Sequence, residues 1–145
     1  MAEKNIRLLK QAVYAKLSED TTLVDDLLGA KRIYARFPPK SVIEYPIVIY
    51  EAAPDIDRPY TESDESGKIT ETSIRISIFS DSSKTEESDN IESRIKTLLN
   101  GQRTLDTDDI ICYSCYRDTM AAQMFNPDQQ VWITHSEYRT VWAPK

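Results

Sequence analysis

Between Thr70 and Leu99 the spacing of apolar residues changes from two to near 3.6. Ile74, Ile76 and Ile78 fall on one face of an extended segment, after which Ile91, Ile95, Leu98 and Leu99 recur three or four apart. Side chains two apart share a face of a strand, and those three or four apart share a face of a helix, so the pattern predicts a strand feeding an amphipathic helix. Asp81, Ser82 and Ser83 between them suit a turn and an N-cap. Residues Lys84 to Asn100 leave room for about four helical turns. Burying the four aliphatic side chains contributes on the order of 1.5–3 kcal/mol each before the cost of ordering them, so this helix needs a sheet to lie on.

The same reading covers the rest of the chain. Ile6, Leu9, Val13 and Leu17 mark a first helix from about Glu3 to Leu17, ending near Ser18, Glu19 and Asp20. A short helical turn follows, capped by Thr22, with Leu23, Val24, Leu27 and Leu28 as contacts and Gly29 as its close. Ile33 and Tyr34 predict a brief extended piece that stops at Pro38 and Pro39. Tyr45 to Tyr50 predicts a strand with Pro46 near its beginning. Two more strands are expected at Ile110 to Asp118 and Val131 to Trp142. The second alternates Trp132, Thr134, Ser136, Tyr138, Thr140 and Trp142 against Val131, Ile133, His135, Glu137, Arg139 and Val141. Asn126, Pro127 and Asp128 read as the turn of a long hairpin. The expected order is therefore α-β-β-α-β-β, an α+β domain spanning residues 1–145, with an antiparallel sheet of about four strands and helices packed on one face.

Composition narrows the function classes. The 145 residues are 40% hydrophobic and carry a net charge of -6. No run approaches the roughly 18 apolar residues of a membrane span, so no membrane partner is expected. Met1 to Asn5 enters a polar helix without an apolar signal region, which predicts synthesis in a cytoplasm. A pI near 4.8 argues against a dedicated nucleic-acid binder. Gly29, Gly67 and Gly101 are too far apart to form a phosphate-cradling loop or nucleophile elbow, and each falls at an expected element boundary.

Cys112 and Cys115 form a C-x-x-C, but in an extended strand their Cα atoms stand roughly 10 Å apart and their side chains face opposite ways. Two buried or half-buried free thiols are the expectation, with the sole histidine, His135, on the partner strand. His135 and Ser136 are adjacent in a strand and cannot pair directly. Asp25 with Asp26, and Asp108 with Asp109, read as solvated helix-end and loop carboxylates. No catalytic residue, cofactor or metal ligand is expected.

Two segments differ in charge. Ala53 to Lys68 carries Asp55, Asp57, Glu62, Asp64 and Glu65 against Arg58 and Lys68, lacks apolar periodicity, and reads as a mobile acidic loop. Lys31, Arg32, Arg36 and Lys40 interleave with Tyr34 and Phe37 in a basic counterpart. Trp132, Tyr138 and Trp142 share one face of the last strand as core or interface positions, and an antiparallel sheet leaves two edges to protect or to dock.

The leading helix, the Gly29 to Tyr34 passage, the acidic loop, the isoleucine strand with its helix and the closing hairpin together resemble the tail completion or tail terminator proteins of long-tailed bacteriophages. Leu27-Leu28-Gly29, Ile33-Tyr34, Tyr45-Pro46-Ile47-Val48 and Ile74 to Phe79 are the closest pieces, and the likeness runs over nearly the whole chain. The turn without glycine and the length of the acidic loop depart from that pattern. The resemblance implies a non-enzymatic ring, usually of six copies, that caps the tail tube and joins it to the head connector. It also implies tube and connector proteins as partners, a virion tail location after assembly in the host cytoplasm, and no catalysis; the free chain is either monomeric or already assembled before docking. In such a ring the acidic loops would line a bore through which DNA slides without specific binding, and the basic segment would meet acidic neighbours. A head-side connector or stopper protein, or a small cytoplasmic α+β adaptor, would share most of these features. A hydrolase would need a pocket or bound metal around His135.

Overall fold

The computed structural model describes residues 2–36, 44–52, 56–57, 69–81, 86–119 and 122–144, with backbone alone at 2–5 and 56–57. Helix α1 spans Ala2–Ser18, a π-helical turn spans Thr22–Leu28, and α2 spans Glu86–Leu99. The strands are β1 (Ile33–Tyr34), β2 (Ile47–Ala52), β3 (Ile56–Asp57), β4 (Thr70–Ser80), β5 (Ile110–Arg117), β6 (Ala122–Asn126) and β7 (Val131–Pro144).

The α+β class holds, but the expected count of about four strands and the order α-β-β-α-β-β do not. Among the described residues one sheet holds seven strands in the order β1-β2-β4-β7-β5, with β3 on β4 and β6 on β7. Two rows are each split in two. β2 and β3 lie successively along β4, while β5 and β6 lie successively along β7. β1 then adds a parallel pairing on β2, the single parallel ladder among otherwise antiparallel ones.

β4 and β7 form the longest ladder, from Thr70↔Trp142 to Ser80↔Trp132. Opposed residues share a face, so the register places Ile74, Ile76 and Ile78 beside Tyr138, Ser136 and Thr134. This inner face receives the helices. Leu9, Val13 and Leu17 of α1, Leu23 and Leu28 of the π-helical turn, and Ile91, Ile95 and Leu99 of α2 close over Val48, Tyr50, Ile74, Ile76, Ile78, Tyr138 and Trp142 in one cluster. The inner face also carries Thr72, whose hydroxyl accepts a 3.0 Å bond from Trp142 Nε1, satisfying an indole that is wholly buried.

The helical layer is locked by Asp20 rather than by the expected Thr22. Asp20 Oδ2 accepts the Leu23 amide at 2.9 Å, and the same carboxylate takes Arg94 Nε at 2.8 Å and Nη2 at 2.6 Å from α2. One side chain thus caps the π-helical turn and fastens it to the second helix. Gly29, at φ 82°, closes that turn in the left-handed region. The expected stops at Pro38 and Pro39, the turn residues Ser82 and Ser83, and Gly67 lie outside the described residues.

The placement of the two cysteines corrects the expectation of opposite faces. The β5–β7 register shifts between Cys112 and Ser114, so Tyr113 is an extra residue in a bulge. Cys112 opposes Trp142 and Cys115 opposes Thr140, which puts both thiols on the inner face, wholly buried and free. Desolvation pushes Cys112 up to about 11 and Cys115 to about 12.

Candidate functional site

The sites named from sequence scatter. Tyr138 and Trp142 are fully buried against the helices, so their apolar bodies build the core and are not available to a partner. Trp132 is half-buried and packs on Phe125 of β6 with ring centroids 5.1 Å apart. In the basic segment, Lys31 and Arg36 are exposed on either side of β1. Arg32 is drawn inward: its Nη1 donates to the carbonyls of Leu28 and Tyr45, both at 3.1 Å, and its Nη2 to Glu44 at 3.0 Å. It closes the C-terminal end of the π-helical turn, where a cation complements the free carbonyls, and is not a free contact residue. Lys40, Asp55, Glu62, Asp64 and Glu65 lie outside the described residues, as does the Asp57 side chain; the backbone of Asp57 pairs with Thr70.

The two edges of the sheet are finished differently. Along β5, the loop that follows α2 supplies backbone and side-chain partners. Gly101 and Cys115 exchange both amide bonds, at 2.7 and 2.9 Å, and Arg103 donates to the Cys112 carbonyl at 3.1 Å. Asp106 Oδ1 takes the Cys112 amide at 2.7 Å, and Asn100 Oδ1 takes the Arg117 amide at 2.9 Å. This edge is sealed against strand addition over its whole length. The seal stops at Arg117. β6 is then exposed at Ala122, Gln123, Met124 and Phe125, with Met124 at 55% and Phe125 at 42% of their full accessibility.

Sequence reasoning missed β6 as a surface. Its signal was present, because Ala122 to Asn126 is an uncharged, proline-free run with two large apolar residues, the composition that edge strands normally avoid. The turn beyond it matches expectation. Asn126 Oδ1 accepts the amides of Asp128 and Gln129 at 3.0 and 3.3 Å, which does the work of the absent glycine.

The outer face of the sheet is charged in its middle. Arg75 meets Glu137 at 3.0 Å, and Arg139 bridges Glu71 at 3.1 Å and Asp118 at 3.3 Å. Ser77 lies opposite His135, with Oγ 2.9 Å from Nδ1. Ser136 lies on the other face, as strand alternation predicts, and the cross-strand partner needed the register to be known. Desolvation, with the Arg75 charge beside it, lowers the His135 pKa and favours the neutral ring. This is a cross-strand hydrogen bond; nucleophilic chemistry would further require a group to orient the ring and donors for an oxyanion. On the inner face Arg117 of β5 and Glu92 of α2 form a shielded ion pair.

Among the described residues no three His, Cys, Asp or Glu side chains gather where a metal could sit, and no helix is long and apolar enough to cross a membrane. A half-open cleft of about 220 Å³ lies between α1 and the loop after α2, lined by Ala12, Lys16, Glu19, Leu105 and Asp106 among others.

No family model matches the chain, and no curated protein sequence matches it. Among solved structures it is similar to a chain described as "Virion of native gene transfer agent (GTA) particle", with a TM-score of 0.69, 17% sequence identity, and 94% of each chain covered. At that identity the likeness establishes a common fold over nearly the full length of both chains.

Proposed function

We propose that this protein is a non-enzymatic structural component of a phage or phage-like particle, acting as a ring that caps the tail tube and joins it to the head connector. The observation that carries the reading is the full-length fold match to a chain of a gene transfer agent virion. The sequence pieces Leu27-Leu28-Gly29, Ile33-Tyr34, Tyr45-Pro46-Ile47-Val48 and Ile74 to Phe79 resemble those of tail completion proteins, which supports a tail position within such a particle. Among the described residues β5 has its outer edge sealed while β6 beside it has no strand on its outer side, which supports an assembly role for the β6 edge.

In this reading the partners are the tail tube and connector proteins, six copies form the ring, and the free chain is monomeric at ordinary concentration. The acidic segment around Asp55 to Glu65 faces the bore, where like charge keeps passing DNA from sticking. The test is to image particles made without this protein. Tubes of uncontrolled length, or finished tails that fail to join heads, are the expected result; normal particles overturn the assignment. Charge-neutral replacement of Asp55, Asp57, Glu62, Asp64 and Glu65 together should slow DNA ejection, and unchanged joining and ejection would remove the bore assignment alone.

A further inference from the structure

We propose that copies of this chain join by strand pairing between the β6 edge of one copy and the β1 edge of the next, extending one sheet around the ring. This rests on the ring reading and names the surface that builds it.

Among the described residues β1 ends the strand order on one side, and β6, paired to β7 in the same row as β5, lies at the other side. β1 runs parallel to β2, and each later step through β4, β7 and β6 reverses direction. β6 therefore runs opposite to β1. When the next copy is set beside the first with its helices on the same side, the strands that meet are antiparallel, the same pairing that dominates within the chain. A contact of one patch with a different patch repeats head to tail and closes into a ring when its rotation allows.

Charge selects this contact over the alternative of two β6 edges about a two-fold axis. The β6 rim is acidic: Asp128 follows it, and Asp89 of α2 holds Gln123 Nε2 at 3.0 Å, while Asp118 before it is already paired with Arg139. The β1 rim is basic, with Lys31 and Arg36 exposed two residues before and after the strand, and Glu44 already taken by Arg32. Two β6 edges would bring carboxylates together, whereas β6 against β1 sets them opposite cations. Met124 lies on the outer face at the edge of β6 through its pairing with Ile133, and Tyr34 lies on that same face through Ile49. An apolar pair is thus available at the join.

Cysteine cross-linking on the full chain tests this. Tyr34→Cys and Met124→Cys are made singly and together, and treated with a short bismaleimide at millimolar protein. The native Cys112 and Cys115 are buried and do not compete. The double variant should link into a ladder of multimers, the two single variants mixed should stop at dimers, and each alone should stay unlinked. Lys31→Glu with Arg36→Glu should cut the yield about tenfold at low salt, and Asp89→Lys with Asp128→Lys in the same chain should restore it. Linked dimers from Met124→Cys alone would overturn the proposal in favour of a two-fold contact, and absence of links in the double variant would overturn it outright. Neither result touches the particle experiment, so a lost tail role with intact cross-links, or the reverse, separates the two readings.

Discussion

β5 and β6 are two halves of one row along β7, and they meet opposite conditions. β5 turns Ile110, Cys112 and Cys115 wholly inward under the helices, and its free edge is bonded by the loop from Asn100 to Asp106. β6 pairs with the same neighbour in regular register yet leaves four of its five residues exposed. Pairing to one neighbour therefore says little about whether a strand is finished. What finishes a strand is a second edge partner and a covered face, and here both come from α2 and the loop it leads into.

The largest expected contrast is in side-chain truncation. Ile110→Ala on β5 should cost about 2–5 kcal/mol, because it opens a cavity in a packed layer. Met124→Ala on β6 should stay within about 0.5 kcal/mol. Denaturant midpoints of the two variants decide this. Equal losses would mean that β6 is part of the folded core and not a docking edge.

Next comes the seal itself. Asp106 Oδ1 is the acceptor for the Cys112 amide, and its other oxygen is bonded to Arg103 Nε. Asp106→Ala strands a part-buried amide and should cost about 1–3 kcal/mol. Amide hydrogen exchange should speed up at Cys112 and remain as it was in β6. Exchange that rises equally in both halves would show that the row opens as a unit and that the seal is not local.

How much of this was legible in the sequence follows from which signals are local. The isoleucines of β4 and the 3.6 spacing of α2 announce themselves because each element buries one face, and the alternation of β7 predicted which of its residues share a face while leaving open which face is inward. Three things were hidden. The bulge at Tyr113 depends on register with β7, and it reverses the inference about Cys112 and Cys115. The Ser77–His135 pair is 58 residues apart and appears once the ladder is known. Arg32 resembles any loop cation until Leu28 and Tyr45 offer their carbonyls. Of the interface candidates, Tyr138 and Trp142 were read from hydrophobicity, which marks a core position and a docking position alike.

A third effect works through the helices. Asp20 ties α2 to the π-helical turn, and α2 leads directly into the loop that seals β5. Asp20→Ala should cost about 1 kcal/mol from the lost cap alone, and should raise amide exchange along β5 while sparing β6. The Arg94 guanidinium, bonded to the Asp20 carboxylate, holds its pKa below the usual 3.8. Because the folded value is depressed, the contribution is complete above about pH 3.8 and fades as pH falls through the folded value. Thermal midpoints taken downward from that pH should fall more steeply for the native chain than for Asp20→Asn. Parallel curves would show that the ion pair does not couple to folding.

The smallest effect lies at the far end of the β6–β7 hairpin. Gln130 takes φ 56°, a left-handed position that costs a residue with a Cβ and costs glycine little. Its Nε2 donates to the Pro127 carbonyl at 2.7 Å, an exposed bond that offsets part of that cost. Gln130→Gly relieves the backbone, gives up the bond, and loosens the unfolded chain, so the net change should be a gain of no more than about 0.5 kcal/mol. That sign discriminates between two accounts of β6. If the turn merely closes a hairpin, a small gain in denaturant midpoint leaves cross-linking between Tyr34→Cys and Met124→Cys unchanged. If the side chain of Gln130 also holds β6 at the angle from which it meets the next copy, the midpoint rises while the ladder of linked multimers shortens, and edge geometry rather than stability then governs assembly.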